Sequence, residues 1–394
     1  MKIGSLLGGL LPLLLLVACG GDKLAKSPTP KNTPANEAGG TSTDKAPVGN
    51  ASGTSSDTKP DTKPDTKPDT KPDTKPDTKQ GQKPKRIRRP RVDYRLIKAL
   101  LGDDPPSPKA PVKATPEMIA LGKALYHSEH LSQKGNLSCA SCHDLSTYGV
   151  DNKPTSPGST GESGDRNTPT TYNAARHFRQ FWDGRAESVE AQAIMQVLNP
   201  IEHGLADEAA VLAKINEQKD LVDGFQKAFP GDEAAVSAKN FGIAIGAFER
   251  TLVTRSKWDD YIEGNQRALS NGELLGLKTF LDVGCNQCHL TRMLGGNAYQ
   301  KLGLRVPYNG KDTGRMKVTG SVADKYSFKV PSLLNVEKTA PYYHDGSLAT
   351  LEETVMAMGK NQLALTLKDE QVANIVVFLK ALTGKLPEEF AKKN

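Results

Sequence analysis

Strand signals are scarce in this 394-residue chain. No array of alternating apolar and polar residues recurs along it, which argues against a sheet-built fold. Long apolar runs are missing too. The Leu-rich run that follows Met1-Lys2 is too short to span a bilayer comfortably, so residues 1–19 read as a cleaved export leader. From Asp57 to Pro76 the tetrad Asp-Thr-Lys-Pro repeats five times without an apolar residue to bury, and a sixth copy ends in Gln80. Such a segment cannot offset its own ordering entropy. With Pro at every fourth position it reads as an extended spacer. Residues 20–111 as a whole are polar and Pro-rich and are predicted to be a disordered tether. A charge excess is also absent from the remainder. The chain carries a net +7, but from residue 111 onward there are 32 basic and 33 acidic side chains. The basic excess gathers in Lys83-Pro84-Lys85-Arg86-Ile87-Arg88-Arg89-Pro90-Arg91, which could meet anionic lipid or a partner, or stay a solvated part of the tether. An export leader argues against a nucleic-acid partner.

Cysteine is equally sparse, and its five positions are informative: Cys19, Cys139, Cys142, Cys285 and Cys288. The first closes the leader, Leu16-Val17-Ala18-Cys19-Gly20, and resembles a bacterial lipobox. That resemblance implies cleavage before Cys19, lipidation of its thiol, and a cell-envelope or periplasmic location. Gly20 and Gly21 after the Cys point to the outer membrane. The other four form Cys139-Ala140-Ser141-Cys142-His143 and Cys285-Asn286-Gln287-Cys288-His289. Cys-x-x-Cys-His is the attachment pattern of c-type haem, in which two thiols add to the porphyrin vinyl groups and the imidazole ligates the iron. Two rival readings remain: a redox disulfide, without its usual strand–helix context, and a zinc site assembled from both Cys pairs.

An internal repeat accompanies the two motifs. Gly122-Lys123-Ala124-Leu125-Tyr126 precedes the first and Gly276-Leu277-Lys278-Thr279-Phe280 the second. A Pro-Thr or Pro-Ser loop follows each, then an Asp-Gly turn, Trp182-Asp183-Gly184-Arg185 or His344-Asp345-Gly346-Ser347, and a new helix. Helices are predicted over 116–126, 188–198, 234–252, 271–281, 351–358 and 368–382. The fold class is therefore mainly α, with two cytochrome c-like haem domains, 112–265 and 266–394, packed around an inter-domain interface.

From about 115 to 385 these motifs, in order and spacing, resemble the bacterial di-haem cytochrome c peroxidases. The resemblance implies a peroxidatic haem on His143 and an electron-transfer haem on His289. It implies Met358 as the distal ligand of the second haem, with Met356 as a near rival. It carries Gln192 and the acid/base Glu202 into the peroxide pocket and Trp182 between the haems. A calcium ion would be held by Asn167, Thr339 and Pro341, the last two through backbone carbonyls. Hydrogen peroxide would be the substrate and a small cytochrome c or cupredoxin the electron donor; a homodimer is left open.

The chain departs from its relatives at Ser159, where many have a His that caps the peroxidatic iron in the oxidised state. A hydroxyl is a poor ligand for ferric haem, so this iron is predicted to stay open. His177 and His203 could substitute as caps, though a surface or supporting place is the expectation for each, and His127 and His130 read as surface residues. Two other functions fit less of the pattern. One is oxidation of a partner protein, as in the methylamine-utilisation di-haem enzymes, which have Tyr where Met358 stands. The other is a non-enzymatic di-haem carrier or redox sensor, which would need neither Glu202 nor Gln192.

Overall fold

The computed structural model describes residues 88–391; the leader, Cys19 and the tetrad repeat lie outside them. Twelve α-helices are described: α1 (Tyr94–Leu101), α2 (Pro116–Tyr126), α3 (Cys139–Cys142), α4 (Val189–Val197), α5 (Glu208–Asn216), α6 (Lys219–Ala228), α7 (Ala238–Glu249), α8 (Lys257–Ile262), α9 (Asn271–Val283), α10 (Met316–Thr319), α11 (Leu351–Leu363) and α12 (Asp369–Lys380). The strands described are β1 (Tyr299–Lys301) and β2 (Ser327–Lys329), an antiparallel ribbon that pairs Tyr299 with Lys329. The chain is mainly helical, as its periodicity predicts.

Local chemistry sets the helix starts. Thr115 accepts the Met118 N–H ahead of Pro116, whose missing N–H costs nothing in the first turn. Ser188 and Ser237 cap α4 and α7 in the same way. Ser270 with Glu273, and Thr350 with Glu353, form reciprocal capping boxes on α9 and α11.

Two apolar cores result. The first gathers Leu121, Leu125, Val197, Phe225, Phe241 and Phe248 from α2, α4, α6 and α7. The second gathers Trp258, Leu277, Phe280, Val355 and Phe378 from α8, α9, α11 and α12. In each, the helix that leads into a Cys motif crosses a later helix at a glycine. A Cβ on Gly122 would overlap the Ala244 carbonyl of α7, and one on Gly276 would overlap the Asn374 carbonyl of α12. Both glycines begin the repeated pentads, so the repeat encodes a helix crossing too close for any side chain.

The structure corrects two boundaries. The tether was expected to run to residue 111, yet Asp93 caps α1 and Ile97 and Leu101, one turn apart, are buried in the second core. Arg89, from the basic run, donates to the carbonyls of Gln266 and Leu269. A polar composition hid one amphipathic turn. The second core also takes Trp258, Tyr261 and Ile262, ahead of the expected boundary at 265, while Leu386 and Phe390 pack against the first core. Each end of the described chain thus closes the core that the other end builds.

The crossing glycines give a direct test. Gly276→Ala should lower stability by about 1–3 kcal/mol, the usual cost of overpacking a fitted core. A thermal melt read by circular dichroism checks it, and an unchanged midpoint would show that the crossing can open.

Candidate functional site

Each Cys motif folds as one tight turn. In the first, the His143 N–H donates to Cys139 O at 2.9 Å; in the second, the His289 N–H donates to Cys285 O at 3.1 Å. Both cysteines of a pair and the following histidine thereby face one cavity. His143 Nδ1 lies 3.2 Å from Gly149 O, and His289 Nδ1 lies 2.8 Å from Leu294 O. A carbonyl only accepts, so Nδ1 carries the proton in each ring and Nε2 keeps its lone pair. A backbone carbonyl behind the ring is the usual way a metal-binding histidine is oriented.

The rival readings of the cysteines do not fit. The two pairs line different cavities, and among the described residues no three His, Cys, Asp or Glu side chains converge to hold a metal ion. All four thiols are free, and burial pushes Cys139 and Cys285 up to about 12 and Cys142 up to about 11. A redox cysteine needs the opposite shift. Neutral thiols on the wall of a cavity, beside an imidazole lone pair, suit thioether attachment of a c-type haem in each.

The cavities differ in chemistry. The first holds Gln192 and Gln196, one turn apart on α4, with Glu202, His203, Arg185 and Glu249. Glu202 Oε2 is buried without a hydrogen-bond partner. Burial pushes its carboxyl up to about 7, against the opposing pull of Arg185 and a hydrogen bond from Asn199. Arg185 stacks over the Phe181 ring at 3.4 Å and is held by Asp183. The second cavity is lined chiefly by apolar side chains and includes Met358. Leu351, Val355 and Met358 share the cavity-facing stripe of α11, whereas Met356 is 45% exposed.

Trp182 lines both cavities, and its indole N–H donates to Asn167 O at 2.9 Å. Asp183 beside it accepts from Arg166, which also binds Asp312; this ties the Trp182 turn to the second half of the chain. Asn167, Thr339 and Pro341 line the second cavity together. The Asn167 Nδ2 donates to Lys153 O, which turns its carbonyl oxygen the other way.

Ser159 does not line the first cavity. It is buried, donating to Asn136 Oδ1 at 2.8 Å and accepting from the Lys134 N–H at 3.0 Å. Its own N–H donates to Glu202 O at 2.8 Å, so this loop fixes the backbone that carries the acid. His177 and His203 are not surface residues: both are buried and line the first cavity. His203 Nδ1 donates to Leu131 O, and His177 meets Lys329. His127 is exposed and His130 pairs with Glu217.

Sequence reasoning missed Lys329 and Glu249. Both are buried; burial pushes Glu249 up to about 8, helped by Glu190 and opposed by Arg250. The only hint was a charge at an apolar stretch: Lys329 between Phe328 and Val330, and Glu249 straight after Ala247-Phe248.

Residues 116–267 match the sequence model of the di-haem cytochrome c peroxidase family. The chain is 44% identical over 290 residues to the cytochrome c551 peroxidase of Nitrosomonas europaea, spanning 71% of this chain and 85% of that protein. It is 41% identical over 273 residues to the cytochrome c551 peroxidase of Pseudomonas aeruginosa, spanning 68% and 79%. A solved MauG-like protein associated with microbial copper homeostasis is similar at 28% identity and a TM-score of 0.65, over 73% of this chain and 95% of that one. With two Cys-x-x-Cys-His turns that each face a cavity of their own, and with relatives matched along most of their length, the chain belongs to the di-haem cytochrome c peroxidase family.

Proposed function

We propose that this chain reduces hydrogen peroxide to water in the His143 cavity, with electrons delivered through the His289 cavity from a small cytochrome c or cupredoxin. Glu202 carries the reading: a buried carboxylate oxygen with no protein partner shares a cavity with the lone-pair nitrogen of His143. A haem held by Cys139, Cys142 and His143, and another held by Cys285, Cys288, His289 and Met358, would supply iron that takes up and releases single electrons. The overall change is H2O2 + 2 e− + 2 H+ → 2 H2O.

The protein's own part is proton handling and orientation. Glu202 takes a proton from one peroxide oxygen and delivers it to the other as the O–O bond breaks. The Gln192 amide donates to peroxide and orients it. Arg185 steadies the carboxylate as it loses its proton. Trp182, lining both cavities, is a short path for electrons between them. Asn167, with the Thr339 and Pro341 carbonyls, forms an oxygen-only set that suits calcium. Lipidation at Cys19 and the tether would hold the enzyme at the cell envelope, on the outer membrane. Likeness to the MauG-like structure keeps oxidation of a partner protein as the second reading. Met358, which lines the same cavity as His289, favours electron storage instead, because a Met ligand raises haem potential.

Three outcomes test this. Haem-loaded enzyme should oxidise reduced cytochrome c with peroxide at once, whether it starts fully oxidised or half-reduced, since Ser159 is pinned outside the cavity. Turnover only after pre-reduction would mean another group caps the iron. Glu202→Gln should lower kcat by about 10²–10⁴-fold. A base must be deprotonated to act, so with its pKa raised to about 7 wild-type turnover should rise with pH through that value and fall in acid; the Gln variant should lose this limb. Met358→Ala should abolish the sulfur-to-iron charge-transfer absorption, whereas Met356→Ala should leave it intact.

A further inference from the structure

Lys329 and His177 form a buried pair that the peroxide chemistry leaves unused. Lys329 ends β2, where its N–H donates to Trp182 O at 2.7 Å. It is 7% exposed; its ammonium donates to Arg179 O at 3.0 Å and approaches His177 Nδ1 at 3.1 Å. Among the described residues no carboxylate forms an ion pair with it, and Asp183 is the one acid whose charge it feels. A buried ammonium without an anion is unfavourable.

An ammonium only donates, so His177 Nδ1 is its acceptor, and the neutral ring carries its proton on Nε2. That Nε2 is buried and has no partner. The ring cannot easily swing away. A Cβ at Gly296 would already lie 2.6 Å from its Cδ2, and the Phe178 N–H is tied to Gly296 O at 2.9 Å. Both side chains line both cavities. The junction therefore presents a cation and an oriented N–H donor, with no acceptor of opposite charge from the protein. Burial pulls the Lys329 ammonium down to about 7, a shift that a carboxylate placed there would reverse.

We infer that Lys329 Nζ and His177 Nε2 are an anion clamp for a haem propionate at the junction of the two cavities. The inference rests on the two-haem reading, and propionate carboxylates are the anionic groups at a haem's edge. A clamped propionate has its negative charge offset. Removing the cation leaves that charge uncompensated, favours the ferric state and lowers the potential of that haem.

The test uses the full haem-loaded chain. Pyridine haemochrome first counts haems; fewer than two in the wild type would sink the parent reading rather than the clamp. Spectroelectrochemical titration then gives both midpoints. Lys329→Met should lower one midpoint by about 59 mV or more, a tenfold change in the one-electron equilibrium constant, and the haem that moves is the one clamped. Lys329→Arg should restore it. His177→Phe should give a smaller fall and shift the propionate bending band in the resonance Raman spectrum, while His177→Gln, which keeps an N–H donor, should not. If Lys329→Met fails to fold, the His177 pair carries the comparison with the ammonium in place. Two haems per chain with unmoved midpoints and an unmoved propionate band would overturn the clamp. So would loss of an axial-histidine signal from the electron paramagnetic resonance spectrum of His177→Phe.

Discussion

A backbone carbonyl behind each motif histidine decides which ring nitrogen is free, and the rest of the site is arranged around that choice. Gly149 O and Leu294 O take the Nδ1 protons of His143 and His289, which leaves Nε2 as a lone pair facing a cavity. The motif turns fix those rings to their cysteines, because each histidine N–H returns to the carbonyl of the first Cys. The glycine crossings of α2 on α7 and α9 on α12 then set how close each helix pair comes behind its motif.

The same plan built twice yields two chemistries, because the rest of each lining differs. The first cavity faces Glu202, Gln192 and Arg185, so it can hold and move protons. The second is lined chiefly by apolar side chains, among them the α11 stripe with the soft thioether of Met358. Burial drives the difference. A carboxyl kept from water holds its proton near neutrality, as Glu202 does, whereas a thioether loses nothing by being dry. Between the cavities lie Trp182, His177 and Lys329, the segment where charge and aromatic surface meet.

Much of this was legible in the sequence. The helix over 116–126 matches its predicted span, since a Thr cap, Pro at the first position and apolar periodicity agree there. Helices α5 and α6 went unpredicted, and α1 was lost in a stretch judged by composition, although Ile97 and Leu101 carry its packing. The predicted break at 265 failed because a chain may cross between cores wherever a buried face is needed, and Trp258 packs with Phe378. His177 and His203, expected at the surface or in a supporting place, are buried on the first cavity, and neither lies on an element whose periodicity reveals a buried face.

Covalent chemistry and local geometry were set by the sequence alone. Two Cys-x-x-Cys-His turns, their spacing, the crossing glycines and the capping residues all act within a few residues, where neighbours in the chain are neighbours in space. Tertiary structure decided the rest. It brought Glu202 and His143 to one cavity, turned Met358 inward and Met356 outward, withdrew Ser159 into its own hydrogen bonds, and buried Lys329 against His177, 152 residues away. Protonation and ligand access depend on what surrounds a group, and those surroundings come from distant parts of the chain.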